Sequence, residues 1–157
     1  MRQVRADAFA ALPIDALLTI AAVALAFAVA LAINPYDLRL GSDGALFLHY
    51  GRRILDGEVP YRDFFDHKTP FVSYFNAGSI WVADTLRQDP IQVMHVAYMA
   101  VGGAIAGITY ALARRLFGSR AVGVAAVLIL VGYAQFATWV ALGSSPKLLM
   151  LACGLGA

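Results

Sequence analysis

The segment PYRDFFDHKTP, Pro60–Pro70, gathers acidic and basic side chains that could perform chemistry together. In a chain with only 14% charged residues, this segment holds five charged or imidazole side chains: Arg62, Asp63, Asp66, His67 and Lys68. Two interpretations are open. The carboxylates and cations either pair with one another in a solvated loop, or form a site for an anionic lipid headgroup. In the second case Lys68 or Arg62 contacts the phosphate while a carboxylate does acid–base work.

The same segment also contains candidate metal ligands. Asp63 and Asp66 could supply the carboxylate oxygens that hard divalent cations prefer, or they could shape the loop without a metal. His67 is either a ligand or a hydrogen-bonded loop residue. Two aspartates with no defined geometry do not make a metal site, so we predict no firm cofactor and leave a divalent cation open.

The composition places these charges in a membrane protein. The chain has 157 residues, is 61% hydrophobic and has a mean hydropathy of +0.70, whereas soluble domains are about 45–50% apolar. The net charge is +2 and no basic tract could follow a phosphate backbone, so nucleic acid is not an expected partner. Cys153 is the only cysteine, which excludes an intrachain disulfide.

Three segments are long enough for transmembrane helices, which need about 20 apolar residues; they are 13–33, 91–113 and 121–142. The first could instead be a signal peptide, since Arg2 and Arg5 precede it. Its apolar run exceeds the roughly 7–15 residues of a signal peptide, which favours a retained anchor. The closing LLMLACGLGA looks like the first half of a fourth span. We therefore expect 1–157 to be a single membrane region and a fragment of a longer protein.

Two shorter apolar segments lie between the first two spans. The segment 42–57 has apolar residues at helical spacing with charges on the other side, which predicts an amphipathic surface helix that begins at Ser42 and stops at Gly57. The segment 71–86 has Asn76 near its middle, which favours a re-entrant or interfacial helix over a span. The predicted fold is an all-α polytopic membrane protein with three transmembrane helices, a partial fourth, and interfacial helices in the first exterior loop.

Short motifs predict how the second span begins and packs. Asp89 followed by Pro90 is a typical helix start, because the carboxylate caps the first turn and proline fits its first position. Gly103 and Gly107 form a small-xxx-small pair, which permits another helix to approach closely.

Basic residues predict the orientation. The short segment RRLFGSR, 114–120, has three arginines and no acid, which favours the cytoplasmic side of the plasma membrane. The N-terminus would then be cytoplasmic, and the loop 34–90 would face outward. If the segment 71–86 crossed the bilayer instead, the arginine segment would lie on the same side as the DFFDHK stretch.

Two longer stretches resemble a known family. SDGALFLHYGRRILDGEVPYRDFFDHKTPFVSYFNA and the later YALARRLFGSRAVGVAAVL are similar to the N-terminal part of polyprenyl-phosphate-sugar-dependent glycosyltransferases of the C superfamily. The similarity is to the bacterial family 39 membrane proteins, which resemble protein O-mannosyltransferases and the lipid A aminoarabinose transferase. In that family an acidic residue after the first span precedes a surface helix, a Gly-x-x-Pro-Tyr-Arg-Asp run and a His-Lys-Pro or Glu-Lys-Pro turn. The resemblance covers about 13–142.

This resemblance implies a reaction and its residues. Asp43 takes the place of the family's catalytic aspartate, and Lys68 that of the lysine near the lipid phosphate, with Arg62 as a second candidate for phosphate binding. The implied partners are a polyprenyl-phosphate-sugar donor, membrane lipids, and a lipid, glycan or protein acceptor. The implied reaction inverts the anomeric centre at the outer membrane face. Without the family resemblance, Asp43 could simply favour the start of a helix through the helix dipole.

Two positions depart from the family pattern. Gly44 follows Asp43 where many relatives have a second acid, and Lys147 stands near the fourth span where relatives often carry an acid. Lys147 serves a different donor phosphate or has no role. The alternative function is a small non-catalytic membrane protein whose exterior loop binds a lipid headgroup or a partner protein.

Overall fold

The computed structural model describes residues 14–34, 40, 43–65 and 68–156. Within these ranges the chain is helical and has no β-strand, only an isolated bridge between Pro60 and Phe64. The helices of this part of the chain are α1 (Ile14–Ile33), α2 (Gly44–Leu55), α3 (Phe71–Leu86), α4 (Pro90–Phe117), α5 (Arg120–Gly132), α6 (Ala134–Leu142) and α7 (Pro146–Gly156). The predicted all-α class is confirmed for the described residues.

Two helices are long and apolar enough to cross a membrane, as expected of a membrane protein. α1 has 20 residues with a mean hydropathy of 2.7, and α4 has 28 residues with a mean hydropathy of 1.6. They correspond to the first two predicted spans, and α4 continues past residue 113 to Phe117. α4 begins as predicted, because the Asp89 carboxylate accepts a hydrogen bond of 2.8 Å from the backbone N–H of Ile91.

The third predicted span, 121–142, is corrected by the structure, because it is two helices rather than one. α5 and α6 meet at Tyr133 with a bend of 66°. Tyr133 has an extended backbone (φ −72°, ψ 108°), and Gly132 before it is a poor helix former. In its new direction α6 packs so closely on α4 that a Cβ built on Gly102 would lie 2.5 Å from Val140. Counting the bent pair as one span, the described residues hold three; otherwise they hold two.

The remaining helices match predicted segments, except that the N-cap residue of α2 is Asp43 and not Ser42. Ser42 lies outside the described residues. α2 ends at Leu55, shortly before Gly57, whose φ of +91° only glycine adopts readily. α3 has the bounds predicted for the second short segment. α7 is an apolar helix of 11 residues over the segment predicted as the start of a fourth span.

The glycines of α4 allow α1 to approach closely, as predicted. A Cβ added at Gly103 would lie 2.9 Å from Val23 of α1, and one added at Gly107 would lie 3.3 Å from both Thr19 and Val23. Side chains at these two positions would force the helices apart. The close-packing role of the glycine pair is therefore confirmed.

Polar contacts tie α1 to its neighbours at both of its ends. At its start, the Asp15 carboxylate accepts hydrogen bonds of 2.8–3.3 Å from the side chains of Tyr110, Arg114 and Arg120. At its other end, the Asn34 side-chain amide donates to the carbonyl of Ala141, at 3.0 Å. A helix of this length is about 30 Å long. The arginine segment and the end of α6 therefore lie at opposite ends of the helical bundle.

α2 lies directly on α3. A Cβ added at Gly51 would lie 2.9 Å from the backbone nitrogen of Ala77, closer than real Cβ contacts allow. The Arg52 guanidinium donates to the Asp84 carboxylate at 2.7 Å, also between the two helices. The two short segments thus form one packed helix pair, which carries the start of α2.

Gly51→Ala is expected to destabilise the protein, because the new methyl group meets the α3 backbone and not a movable side chain. Overpacking of this kind costs about 1–3 kcal/mol, of which the better helix propensity of alanine offsets roughly 1 kcal/mol. Thermal unfolding in detergent measures the change.

The matched control is Gly78→Ala, in α3, where an added Cβ would meet nothing within 4 Å. This control is expected to unfold at an unchanged or slightly higher temperature. Equal unfolding temperatures for the two variants would contradict the close backbone approach at Gly51.

Candidate functional site

A cavity of about 270 Å³ lies where the start of α2, the segment before α3, and the α6–α7 region meet. We call it the Asp43 cavity. Among the described residues, three charged side chains line it: Asp43, Lys68 and Lys147. Its wall also includes the aromatic and polar residues Phe47, Gln135, Thr138, Trp139 and Ser144. The described lining residues therefore carry one net positive charge.

Asp43 and Lys68, the residues that the family resemblance implies, lie in direct contact. Lys68 Nζ donates to Asp43 Oδ2 at 2.8 Å, across 25 positions of sequence. The Asp43 side chain is 57% exposed and that of Lys68 is 31% exposed, so solvent reaches the pair. The structure therefore brings a carboxylate and a cation together on one wall of a solvent-accessible cavity.

The backbone and side chain of Lys68 are both held in place. Its carbonyl accepts a 2.6 Å hydrogen bond from the Tyr61 hydroxyl, and its ammonium lies 5.0 Å from the centre of the Phe47 ring. Phe47 is 1% exposed in α2, one turn after Asp43. A cation over an aromatic face is attracted by the ring quadrupole, so α2 positions both members of the Asp43–Lys68 pair.

Arg62 and Asp63 are not among the residues that line the Asp43 cavity. The Arg62 guanidinium donates to the Asp63 carboxylate at 2.7 Å, and the backbone N–H of Val59 donates to the same carboxylate at 2.8 Å. These hydrogen bonds, led by that from Arg62, lower the pKa of Asp63 to about 2. Asp63 thus shapes the turn that precedes Lys68, as in the loop-shaping alternative.

Aromatic packing explains why the turn stays folded beside so much charge. The Phe64 ring is 8% exposed and stacks on Tyr50 of α2, with ring centres 4.9 Å apart. The Arg53 guanidinium lies 4.6 Å from the centre of the Phe64 ring on the same helix face. The segment is therefore anchored to α2 by its aromatic residues. Asp66 and His67, the other predicted supporting residues, lie outside the described residues.

The opposite wall of the cavity consists of three α6 residues that no sequence pattern singled out, and of Lys147, for which the sequence left a role at a donor phosphate open. Gln135, Thr138 and Trp139 belong to α6, and Lys147 is the second residue of α7. The Lys147 ammonium lies 5.3 Å from the centre of the Trp139 ring. α6 contributes these side chains because the chain changes direction at Tyr133, next to the poor helix former Gly132.

A buried polar network fixes the two walls relative to each other. The Asn76 side chain donates to the Ser144 hydroxyl at 2.9 Å and accepts from the Tyr98 hydroxyl at 3.1 Å. Ser144 in turn donates to the Gly44 carbonyl at 3.5 Å. Ser144 has a φ of +50°, which a non-glycine residue adopts only where surrounding contacts hold it. Asn76, predicted only as a sign that α3 does not span, thus links the start of α2 to the α6–α7 segment.

The described residues offer no metal centre. No group of three or more histidine, cysteine, aspartate or glutamate side chains that could hold a metal ion occurs in the described ranges. The candidate ligand Asp63 instead binds Arg62 and a backbone amide. The polar groups of the described site are a carboxylate, two ammonium groups, and hydroxyl and amide groups.

Comparison with known proteins identified no family model, curated protein or solved structure that matches this chain.

Proposed function

We propose that this chain is the N-terminal part of an integral membrane glycosyltransferase that moves a sugar from a polyprenyl-phosphate carrier to an acceptor. The observation that carries the proposal is the contact between Asp43 and Lys68 at the wall of the Asp43 cavity. Displacement at an anomeric carbon needs a proton acceptor for the nucleophile and a cation for the leaving phosphate, held close together. The acceptor is a lipid, a glycan or a protein.

In the proposed reaction, the hydroxyl oxygen of the acceptor attacks the anomeric carbon from the face opposite the phosphate. A new carbon–oxygen bond forms as the bond between the sugar and the phosphate oxygen breaks, so the centre inverts. Asp43 takes the proton of the attacking hydroxyl. The electron pair of the broken bond stays on the polyprenyl phosphate, and Lys68 stabilises the charge that grows there.

The contact between the two residues suggests how the donor engages the site. The Lys68 ammonium carries three N–H donors, and one of them reaches Asp43 Oδ2. A donor phosphate in the cavity can draw Lys68 toward itself because charge-assisted hydrogen bonds to phosphate are strong. Donor binding would then relieve the contact at Oδ2 and make the carboxylate ready for the proton.

The proposed location is the plasma membrane, with the Asp43 cavity outside and the N-terminus in the cytoplasm. The arginine segment 114–120 belongs on the cytoplasmic side by the positive-inside rule. Arg114 and Arg120 contact Asp15 at the start of α1. The cavity residues lie near the other end of that helix, where Asn34 contacts Ala141. This separation supports the proposed orientation.

Cysteine labelling tests this orientation. In a background with Cys153 replaced by serine, single cysteines at Thr69 and Ser119 are expected to react from opposite sides of intact cells, with Thr69 outside. An impermeant maleimide, applied before and after permeabilisation, makes the measurement. Labelling of both positions from the same side would contradict the proposed arrangement and would mean that α3 crosses the bilayer.

Transfer of radiolabelled sugar from synthetic polyprenyl-phosphate donors, by the full-length protein in membranes, tests the function itself. The expected result is time-dependent incorporation of label into an acceptor fraction, lost in the Asp43→Asn variant. Binding of polyprenyl phosphate without transfer from any donor would instead favour a non-catalytic membrane protein that recognises a lipid headgroup.

A further inference from the structure

The charges of the Asp43 cavity are unevenly distributed. Asp43 and Lys68 pair with each other, so their charges largely cancel at the wall they share. Lys147, on the opposite wall, has no carboxylate within salt-bridge distance among the described residues. Among the described lining residues, the net positive charge is therefore concentrated at Lys147.

The position of Lys147 suits anion binding. Its ammonium rests against the Trp139 ring at 5.3 Å from the ring centre, which orients the side chain without using its N–H donors. It lies in the first turn of α7, an 11-residue helix whose N-terminal dipole also favours negative charge. Gln135 and Thr138, which line the same cavity, add neutral hydrogen-bonding groups.

We infer that Lys147, supported by Trp139, forms a phosphate-binding subsite that holds the lipid phosphate when the sugar leaves. The inference rests on the proposed function and adds to Lys68 a second phosphate-binding residue. After transfer the lipid phosphate is a monoester, which carries about −1.5 to −2 charges at pH 7. A second ammonium group in the cavity that Lys68 lines therefore stabilises it.

A single tryptophan makes occupancy of this subsite measurable. The chain has two tryptophans, and Trp81 is 62% exposed on α3 and does not line the cavity. Trp81→Phe therefore leaves Trp139 as the reporter in the otherwise complete protein. When a phosphate draws Lys147 away from the indole, the emission of Trp139 is expected to change. The probes are farnesyl phosphate, farnesol and inorganic phosphate.

Farnesyl phosphate is expected to give a saturable change in emission, whereas farnesol should give none. Lys147→Gln should raise the Kd for farnesyl phosphate about 10-fold or more, the usual size of a lost hydrogen bond to a charged group. Lys147→Arg should lose less affinity than Lys147→Gln because it keeps the charge, although a planar guanidinium does not fully replace a compact ammonium. The matched control is Arg115→Gln, which removes a cation at the other end of the molecule and should leave the Kd unchanged.

An unchanged Kd in Lys147→Gln would overturn the inference. An equal rise in Kd in Arg115→Gln would also overturn it, because the loss of affinity would then reflect only the overall charge of the protein. Displacement of farnesyl phosphate by inorganic phosphate at equal concentration would assign the site to free phosphate and overturn the lipid-phosphate assignment. Isothermal titration calorimetry on the same samples gives each Kd without relying on the indole signal, and circular dichroism checks the fold of each variant.

The same experiment separates this inference from the proposed function. Selective loss of binding in Lys147→Gln, with no sugar transfer by the parent from any donor, would keep the phosphate subsite and reject the glycosyltransferase. Transfer by the parent, with binding and kinetics unchanged in Lys147→Gln, would keep the enzyme and reject the subsite.

Discussion

Asp43→Asn is expected to lower kcat at saturating donor by roughly 100-fold or more, because general-base catalysis of this kind contributes about 10²–10⁴-fold. Asparagine keeps the shape of the side chain but cannot take the proton of the attacking hydroxyl. Initial rates of sugar transfer by the full-length protein measure the effect. Expression and thermal stability in detergent should remain normal.

The competing explanation for Asp43 is a structural role at the start of α2. Asp43 is the N-cap residue of that helix, yet its side chain makes no capping hydrogen bond to the first turn. A favourable interaction with the helix dipole contributes only about 0.3–1 kcal/mol. An N-cap role would leave turnover nearly intact in Asp43→Asn, so a large loss of kcat at unchanged stability separates the two roles.

The neighbouring carboxylates provide the control for Asp43. Asp63→Asn should lose only loop stability, since Asp63 binds Arg62 and the Val59 amide outside the cavity lining. That pairing lowers the pKa of Asp63 in the folded protein to about 2, whereas an aspartate in the unfolded chain has a pKa near 3.9. The pairing therefore stabilises the loop fully above about pH 3.9, and this stabilisation is lost as the pH falls toward 2. Should Asp66→Asn abolish turnover while Asp43→Asn stays active, Asp43 would not be the base.

Lys68→Ala is expected to raise the apparent KM for the donor and to lower kcat as well, because in the proposed reaction the ammonium contacts the phosphate in both the ground state and the transition state. We expect a combined loss in kcat/KM of about 10-fold to 1,000-fold, within the range measured when one charge-stabilising donor is removed. Donor titrations of the full-length enzyme separate the two parameters.

The matched variant at this position is Lys68→Arg, which should rescue only part of the activity because a planar guanidinium does not replace a compact ammonium. Lys68 also contacts Asp43 at 2.8 Å. The double variant Lys68→Ala/Asp43→Asn should therefore lose less transition-state stabilisation, in free energy, than the sum of the losses in the two single variants. Unchanged donor kinetics in Lys68→Ala would exclude a phosphate role for this residue.

Most of the helical architecture could be predicted because it depends on neighbours within a turn or two. The apolar runs of α1 and α4, the cap at Asp89 and the close approach at Gly103 all follow from local composition and spacing. The stop after α2 at Gly57 is equally local. The candidate pair Asp43 and Lys68 came from the family resemblance and not from periodicity, and the pattern alone left both residues open to structural roles.

The tertiary structure alone decided how the candidate site is assembled. The run 121–142 contains no charged residue, so its hydropathy predicts one span, yet the packing of Val140 on Gly102 accompanies a 66° bend. That bend turns Trp139 toward the Asp43 cavity, where Lys147 joins it from α7.

The contacts that connect the two walls are also invisible to sequence patterns, because they join distant parts of the chain. Asn76 reaches Ser144 across 68 positions, and Ser144 reaches Gly44 across 100. Helical periodicity and capping describe energies within a few residues, whereas these hydrogen bonds form only after separate helices have packed and excluded water from the polar groups between them. The sequence by itself therefore determined which segments become helices, and the packing of those helices determined which charges share a cavity.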